Sequence, residues 1–274
     1  MKTLINHKLI DWWNLILLIL IIPGNMIAQE VEIPQCYSGK RLTREFIKEE
    51  MVYPGQALKN NVEGEVEIVF LVNADGSATD YKVSKSVSEE LDLEAMRICR
   101  KILWYPAREV GLAIPYKHKF TIKFNIRKYQ KLVKNRGYDQ IEYPFEPFDT
   151  SGKIYRFAKV DKIPMPVFTD PKQNFSKFIG SNLEYPEAAF KQNVSGSVKL
   201  KFVIETSGRI SNIVVDRALG GGCTEEAIRV VRLLRWNPAI FNDMAVRSWM
   251  SLEITFDIAR KSVGGSIPTP GQVQ

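Results

Sequence analysis

Histidine is nearly absent from this chain: 274 residues hold two, His7 and His118. Only His118 lies beyond the N-terminal segment, and it falls in the apolar series of a strand, which suits a packing ring better than a catalytic base. The sequence also lacks a Gly-x-Ser-x-Gly elbow and a glycine-rich phosphate loop, which removes two common enzyme sites. Paired carboxylates exist, but none has a recognisable acid–base placement, so no catalytic residue is expected. Three scattered cysteines, Cys36, Cys99 and Cys223, give no metal framework, and no cofactor is implied. In an oxidising compartment Cys36 and Cys99 are the candidate disulfide, and Cys223 reads as a buried small hydrophobe. Long apolar runs are missing too. Trp12–Ile22 spans 11 residues, short of the roughly 20 that a membrane-spanning helix needs.

Lys2 and Lys8 precede that run, Pro23-Gly24 breaks it, and Ala28-Gln29 offers a cleavage point. Residues 1–28 therefore read as a signal peptide, with an uncleaved short membrane anchor as the alternative. Without them 36 basic and 30 acidic residues remain. The basic excess is diffuse except in Arg127–Arg136, where Arg127, Lys128, Lys131, Lys134 and Arg136 crowd together. That cluster could touch anionic lipid or an acidic surface, but a solvated segment beyond a strand is the expected reading. Export leaves nucleic acid out as a partner.

What the chain does have is a repeat. A shift of 132 positions lays Tyr53–Ile126 on Tyr185–Ile258 without a gap, with 22 of the 74 pairs identical. A unit this long exceeds the periods of about 20–50 residues typical of solenoids, so it predicts two small domains in tandem. Each copy opens with a short helix signal, Phe46-Ile47 or Phe178-Ile179 leading to Tyr-Pro with Ala57 or Ala189 on that helix, and then an alternating strand. In the first strand Val66, Ile68, Phe70 and Val72 take one face, matched by Val198, Leu200, Phe202 and Ile204. Hairpins follow at Ala74–Ser77 and Thr206–Arg209, each with glycine where a left-handed residue is needed. Leu91, Ala95, Ile98 and Ile102, and Cys223, Ala227, Val230 and Leu234, form one helical stripe per copy. Asp92 and Thr224 are the expected caps of these helices. A last strand puts Tyr116, His118, Phe120, Ile122 and Phe124 inward, matched by Met250, Leu252, Ile254, Phe256 and Ile258.

The expected fold class is α+β: two tandem domains, each a three-stranded antiparallel sheet with two helices on one face. The boundaries fall at 36–128 and 174–261, with a Pro/aromatic-rich linker at 129–173 that should partly pack on a domain and a disordered tail at 262–274.

At these residues the chain resembles the TonB C-terminal domain family, twice. The second copy carries Tyr185-Pro186-Glu187-Ala188-Ala189, Gly196, Ser207-Gly208, Gly220-Gly221-Gly222 before Glu225-Glu226-Ala227, and Trp236-Asn237-Pro238-Ala239, with Met165-Pro166-Val167-Phe168 as lead-in. The first copy has Ser88-Glu89-Glu90 in place of the three glycines. The resemblance implies a non-enzymatic, periplasm-facing module that grips the N-terminal segment of an outer-membrane transporter, or another envelope protein, by β-strand addition. The final strand of each copy should offer an unpaired edge. The expected binding edge is Arg247–Ile258, namely Arg247, Trp249, Ser251, Glu253, Ile254, Thr255, Phe256 and Ile258; Tyr116–Ile126 is its counterpart, blunted by Lys117, Lys119 and Lys123. About 25 residues separate the apolar run Trp12–Ile22 from the helix signal at Phe46-Ile47, a reach of at most about 90 Å and less if Cys36–Phe46 folds, which argues against direct coupling to an inner-membrane motor. The alternative is a cell-envelope scaffold that contacts peptidoglycan, or a homodimer formed by edge pairing.

Overall fold

Val31 begins a run of residues that ends at Ile258; the computed structural model describes this run and residues 262–266. The leader over residues 1–28, and its alternative as an anchor, lie outside the described residues. Among the described residues no helix is long and apolar enough to cross a membrane.

The first copy opens with β1 (Gln35–Cys36), α1 (Gly39–Glu50) and α2 (Gly55–Lys59), and continues through β2 (Gly64–Val72), β3 (Ala78–Lys85) and α3 (Glu89–Lys101). It closes with β4 (Trp104–Tyr105), β5 (Ala107–Glu109), β6 (Leu112–Ile114) and β7 (Tyr116–Phe124). Between the copies lie α4 (Ile126–Arg136), β8 (Ile154–Tyr155) and β9 (Met165–Val167). The second copy comprises α5 (Phe175–Asn182), α6 (Glu187–Lys191), β10 (Gly196–Ile204), β11 (Ile210–Arg217), α7 (Cys223–Leu233), β12 (Arg235–Asn237), β13 (Ala239–Phe241) and β14 (Met244–Asp257). A last strand, β15, covers Ser262–Ser266. The fold is α+β, with antiparallel sheets β3-β2-β7 in one copy and β11-β10-β14 at the heart of the other.

The period-two pattern sets the sheets. Val66, Ile68, Phe70 and Val72, and their counterparts Val198, Leu200, Phe202 and Ile204, are all essentially inaccessible. Burying each such side chain contributes about 1.5–3 kcal/mol, so the strand register is strongly fixed. The helical stripes face them: Leu91, Ala95 and Ile98, and Cys223, Ala227 and Val230, are fully buried. Polar ties repeat as well. Glu94 accepts the Val52 N–H at 2.8 Å and pairs with Arg97, which donates to the Glu50 carbonyl; Glu226 accepts the Glu184 N–H at 2.7 Å and pairs with Arg229, which donates to the Asn182 carbonyl. Tyr53 and Tyr185 each donate to a carbonyl nine residues on, of Val62 and Val194. Burial pushes the Tyr53 phenol up to about 12, with Glu63 adding to the shift. At Gly76 (φ +82°) a Cβ would sit 2.7 Å from the Trp104 carbonyl oxygen, and Gly208 (φ +72°) meets Trp236 more closely still. The repeated glycines thus let a hairpin lie on the tryptophan backbone.

The helix caps differ from expectation. Ser88 caps α3 by accepting from the Leu91 N–H, while Asp92 accepts the Val87 N–H and the Ser86 hydroxyl. Gly222 (φ +89°) begins α7, and Thr224 is bonded to Leu219 instead. Gly221 is needed there, because a Cβ would come 2.7 Å from the Ala189 backbone. The first copy has room for Glu89-Glu90, so its helix starts earlier relative to the repeat.

Both copies belong to one compact unit. Helix α1 serves both: Leu42 joins the second core, whereas Phe46 and Ile47 pack against the first. Arg232 of α7 reaches Glu45 and Glu49 on α1. Asn212, with φ +50°, accepts the Leu103 N–H and donates to the Lys101 carbonyl, both at 2.9 Å. Arg247 is buried against Glu205 at 2.8 Å and also donates to the carbonyls of Lys101 and Gly152. Paired charges with a partner at every guanidinium nitrogen can be buried where a lone one could not.

Candidate partner-binding edge

An antiparallel strand offers backbone groups on two sides, so a capture edge requires one side to be empty. On β14 one side is taken by β10, from Ser248 to Phe256. The other side is largely occupied: the Pro147–Asp149 segment bonds both backbone groups of Ala245, β8 pairs with Arg247–Ser248, and β15 with Glu253–Asp257. Only Trp249–Leu252 has no strand beside it on that side among the described residues. The edge expected in the second copy is therefore mostly closed. The tail expected to be disordered supplies part of that closure. Its glycines are the reason: a Cβ at Gly265 would lie 2.6 Å from the Phe175 ring, so glycine is what lets this backbone lie beside α5. Residues 267–274 lie outside the described residues.

The eight residues expected on that edge are in varied surroundings. Arg247, Ile254 and Phe256 are buried, Arg247 in its ion pair and Phe256 against the Tyr185 ring. Trp249 lies under the Lys201 ammonium, 4.6 Å from its ring centre. Ser251 donates to the Leu200 carbonyl, and Glu253 accepts from Ser197 and Arg217. Thr255 is exposed, and the Ile258 N–H reaches the Ser195 hydroxyl.

The first copy is open. β7 pairs with β2 along its whole length, Tyr116 with Val72 through Phe124 with Gly64, and no strand lies on its other side among the described residues. Its outward face carries Lys117, Lys119, Thr121 and Lys123, all exposed. Lys119 pairs with Glu67 at 3.0 Å and Lys123 with Glu65 at 2.6 Å; hydrogen bonds from Ser84 and then Lys119 lower the Glu67 carboxyl, and the one from Lys123 lowers that of Glu65. His118 faces inward, with ring centres 4.8 Å from Trp104 and 5.7 Å from Phe70, and burial lowers its pKa.

Beside this edge lies a groove of about 680 Å³ between β7, α1 and α4. The basic cluster Arg127–Arg136, the segment beyond β7, is the helix α4, with Arg127, Lys128, Lys131 and Lys134 exposed. Asn125 caps it by accepting the Lys128 N–H at 3.0 Å, Gly137 ends it at φ +79°, and Tyr129 is buried against Tyr53. This Asn-to-Gly frame is a helix signature in sequence that the charge pattern obscured. Arg136 is not free charge either. It donates to the carbonyls of Lys48, Glu49 and Met51, closing the C-terminus of α1, and stacks on Tyr138, whose other partner is Arg209.

Cys36, Cys99 and Cys223 are free thiols. Cys36 packs against the core cluster that contains Cys99, and burial, then the nearby Cys36, pushes the Cys99 thiol up to about 12. Cys223 is buried. Among the described residues no group of three His, Cys, Asp or Glu is placed to hold a metal ion.

A sequence profile of the family described as "Gram-negative bacterial TonB protein C-terminal" matches residues 49–126 and 181–258, together more than half of the chain. Two relatives, each named Protein TonB, from Helicobacter pylori strains 26695 and J99, are 40% identical to it over 67 residues, which is 23% of this chain and 24% of each relative. The chain thus spans about a quarter of the length of the curated relatives it matches. It belongs to the TonB C-terminal family and carries that domain twice.

Proposed function

We propose that this chain is a non-enzymatic, periplasm-facing adaptor that captures an extended segment of an envelope protein by strand addition to β7. The N-terminal segment of an outer-membrane transporter is the leading candidate partner. One observation carries the reading: the outer side of β7 has no strand beside it among the described residues, while β14 is closed along most of its length. Unpaired N–H and C=O groups on such an edge bond an incoming backbone whatever its side chains. The capture edge therefore moves from Arg247–Ile258 to Tyr116–Phe124, and the second copy becomes the brace. Membership of the TonB C-terminal family supports a role in protein interaction linked to transport.

The homodimer reading is disfavoured by charge. Antiparallel pairing of two β7 strands would set the exposed row of Lys117, Lys119 and Lys123 beside its own copy, and like charges across a strand pair are destabilising. Hydrogen exchange tests the proposal directly. Adding a transporter's N-terminal segment should slow exchange of amides in Tyr116–Phe124 and leave Trp249–Leu252 unchanged. Protection confined to Arg247–Ile258 would overturn it.

A further inference from the structure

We infer that the β7 edge selects a segment whose residues alternate between apolar and acidic, the apolar ones seated in the groove against α1 and α4. This rests on strand addition at β7 and adds the chemistry of the partner. An added strand continues the pleat, so its successive side chains point to opposite faces of the sheet. On the inward side it would meet the groove, whose floor is Ile47, Met51, Ile122, Tyr129 and Leu132. On the outward side it would lie beside Lys117, Lys119 and Lys123, at the spacing of cross-strand pairs. One face asks for aliphatic side chains and the other for carboxylates.

The rim of the groove repeats the demand. Arg44 and Lys48 on α1 fall one turn apart, as do Lys128 and Lys131 on α4, and all four are exposed. No acidic residue lines the groove. Among the described residues the carboxylates on α1 and β2 nearby pair elsewhere, Glu45 with Arg41 and Arg232, Glu49 with Arg232, Glu67 with Lys119 and Glu65 with Lys123, and none of these four cations has a carboxylate partner. The walls are fixed, because Arg136 ties α4 to the end of α1. Complementary charge of this kind sets partner choice more than raw affinity. A membrane surface would also answer the cations, but it has no backbone to pair with β7.

Three fluorescein-labelled peptides, titrated into the full chain, separate the ideas. One alternates Glu with Val, one alternates Gln with Val, and the third is the Glu peptide N-methylated on alternate backbone amides. The Glu peptide should bind on the order of ten-fold tighter than the Gln peptide in low salt, the combined effect of a few exposed charge pairs. That advantage should shrink as salt rises. It should narrow in a variant combining Arg44→Ser, Lys48→Ser, Lys128→Ser and Lys131→Ser, and fall toward one when Lys117→Ser, Lys119→Ser and Lys123→Ser are added, with the circular dichroism spectrum unchanged. Equal affinity for the Glu and Gln peptides would overturn the selectivity and leave strand addition standing. Equal affinity for the N-methylated and parent peptides would overturn strand addition itself. If the variant fails to fold, a salt-independent advantage of the Glu peptide in the native chain would still sink the inference. Phosphatidylglycerol vesicles that bind while neither peptide does would assign the groove to lipid instead.

Discussion

Pro115 and Arg247 occupy the same place in the two copies and do opposite things. In the first copy Pro115 separates the hairpin strand β6 from β7, because it has no N–H to give to a ladder. In the second copy the same stretch is one continuous strand, β14, and Arg247 within it is buried against Glu205, whose counterpart is Asn73. Asp80 and Asn212 share a left-handed backbone, yet Asp80 is exposed while Asn212 binds the end of α3. The scaffold residues stayed alike while the rim residues diverged. One copy carries the groups that dock it and the strands that close its edge; the other leaves its edge open and lines it with lysine.

The largest effect should come from breaking that docking. Arg247→Ala strands Glu205 without its main partner, leaving the Ser211 hydroxyl and Lys101 at 3.8 Å, and should cost about 3–5 kcal/mol, as removing one half of a buried pair does. Pro115→Ala, at the matching position, should change stability by about 1 kcal/mol or less. Urea unfolding of the two variants measures the contrast. Similar midpoints for both would mean that Arg247 does not hold the copies together.

The acid limb of stability gives a second, smaller contrast. Glu50 on α1 is buried, which by itself raises its pKa, but Lys101 and Arg97 outweigh burial and hold the carboxyl below its ordinary value of 4.5. A group depressed in the folded state contributes stability that is complete above its unfolded value and is lost as pH falls through the folded one. The second copy has Asn182 at this position. Glu50→Gln should therefore cost about 1.5–3 kcal/mol at neutral pH, the range for a hydrogen bond to a charged group. The gap between native and variant should close as pH falls below 4.5, as read by denaturant midpoints across that range. A gap that stays constant would show that Glu50 does not titrate with folding.

The division between what sequence told and what it hid follows the same line. Alternation at Val66–Val72 and the stripe at Leu91–Ile102 report burial on one's own domain, and a local period encodes that. The pairing of Ile154–Tyr155 with Arg247–Ser248 joins segments far apart in the chain, and no local period announces it. Arg247 reads as a surface strand residue until Glu205 is seen opposite it. Gly264-Gly265 reads as a flexible tail because glycine usually marks one, yet here the missing side chain is what admits the strand. Even the edge followed this rule. Lys117, Lys119 and Lys123 were legible as a guard, whereas the closure of β14 came from three separate segments.

Removing residues 262–274 should reopen the second edge at little cost. β15 is a short terminal strand, and such segments open locally with free energies near the low end of the scale, so unfolding should shift by about 1 kcal/mol or less. The consequence for binding is larger than for stability. Glu253–Asp257 would lose its partner strand and become contiguous with the unpaired Trp249–Leu252, giving the second copy an edge about as long as β7. Hydrogen exchange on the truncated chain with a captured segment should then show protection in both copies, where the full chain protects one. If the truncated chain still protects β7 alone, the closure by β15 is not what distinguishes the copies. The outward side chains would then be the deciding feature, since β14 offers Trp249, Ser251, Glu253 and Thr255 where β7 offers three lysines.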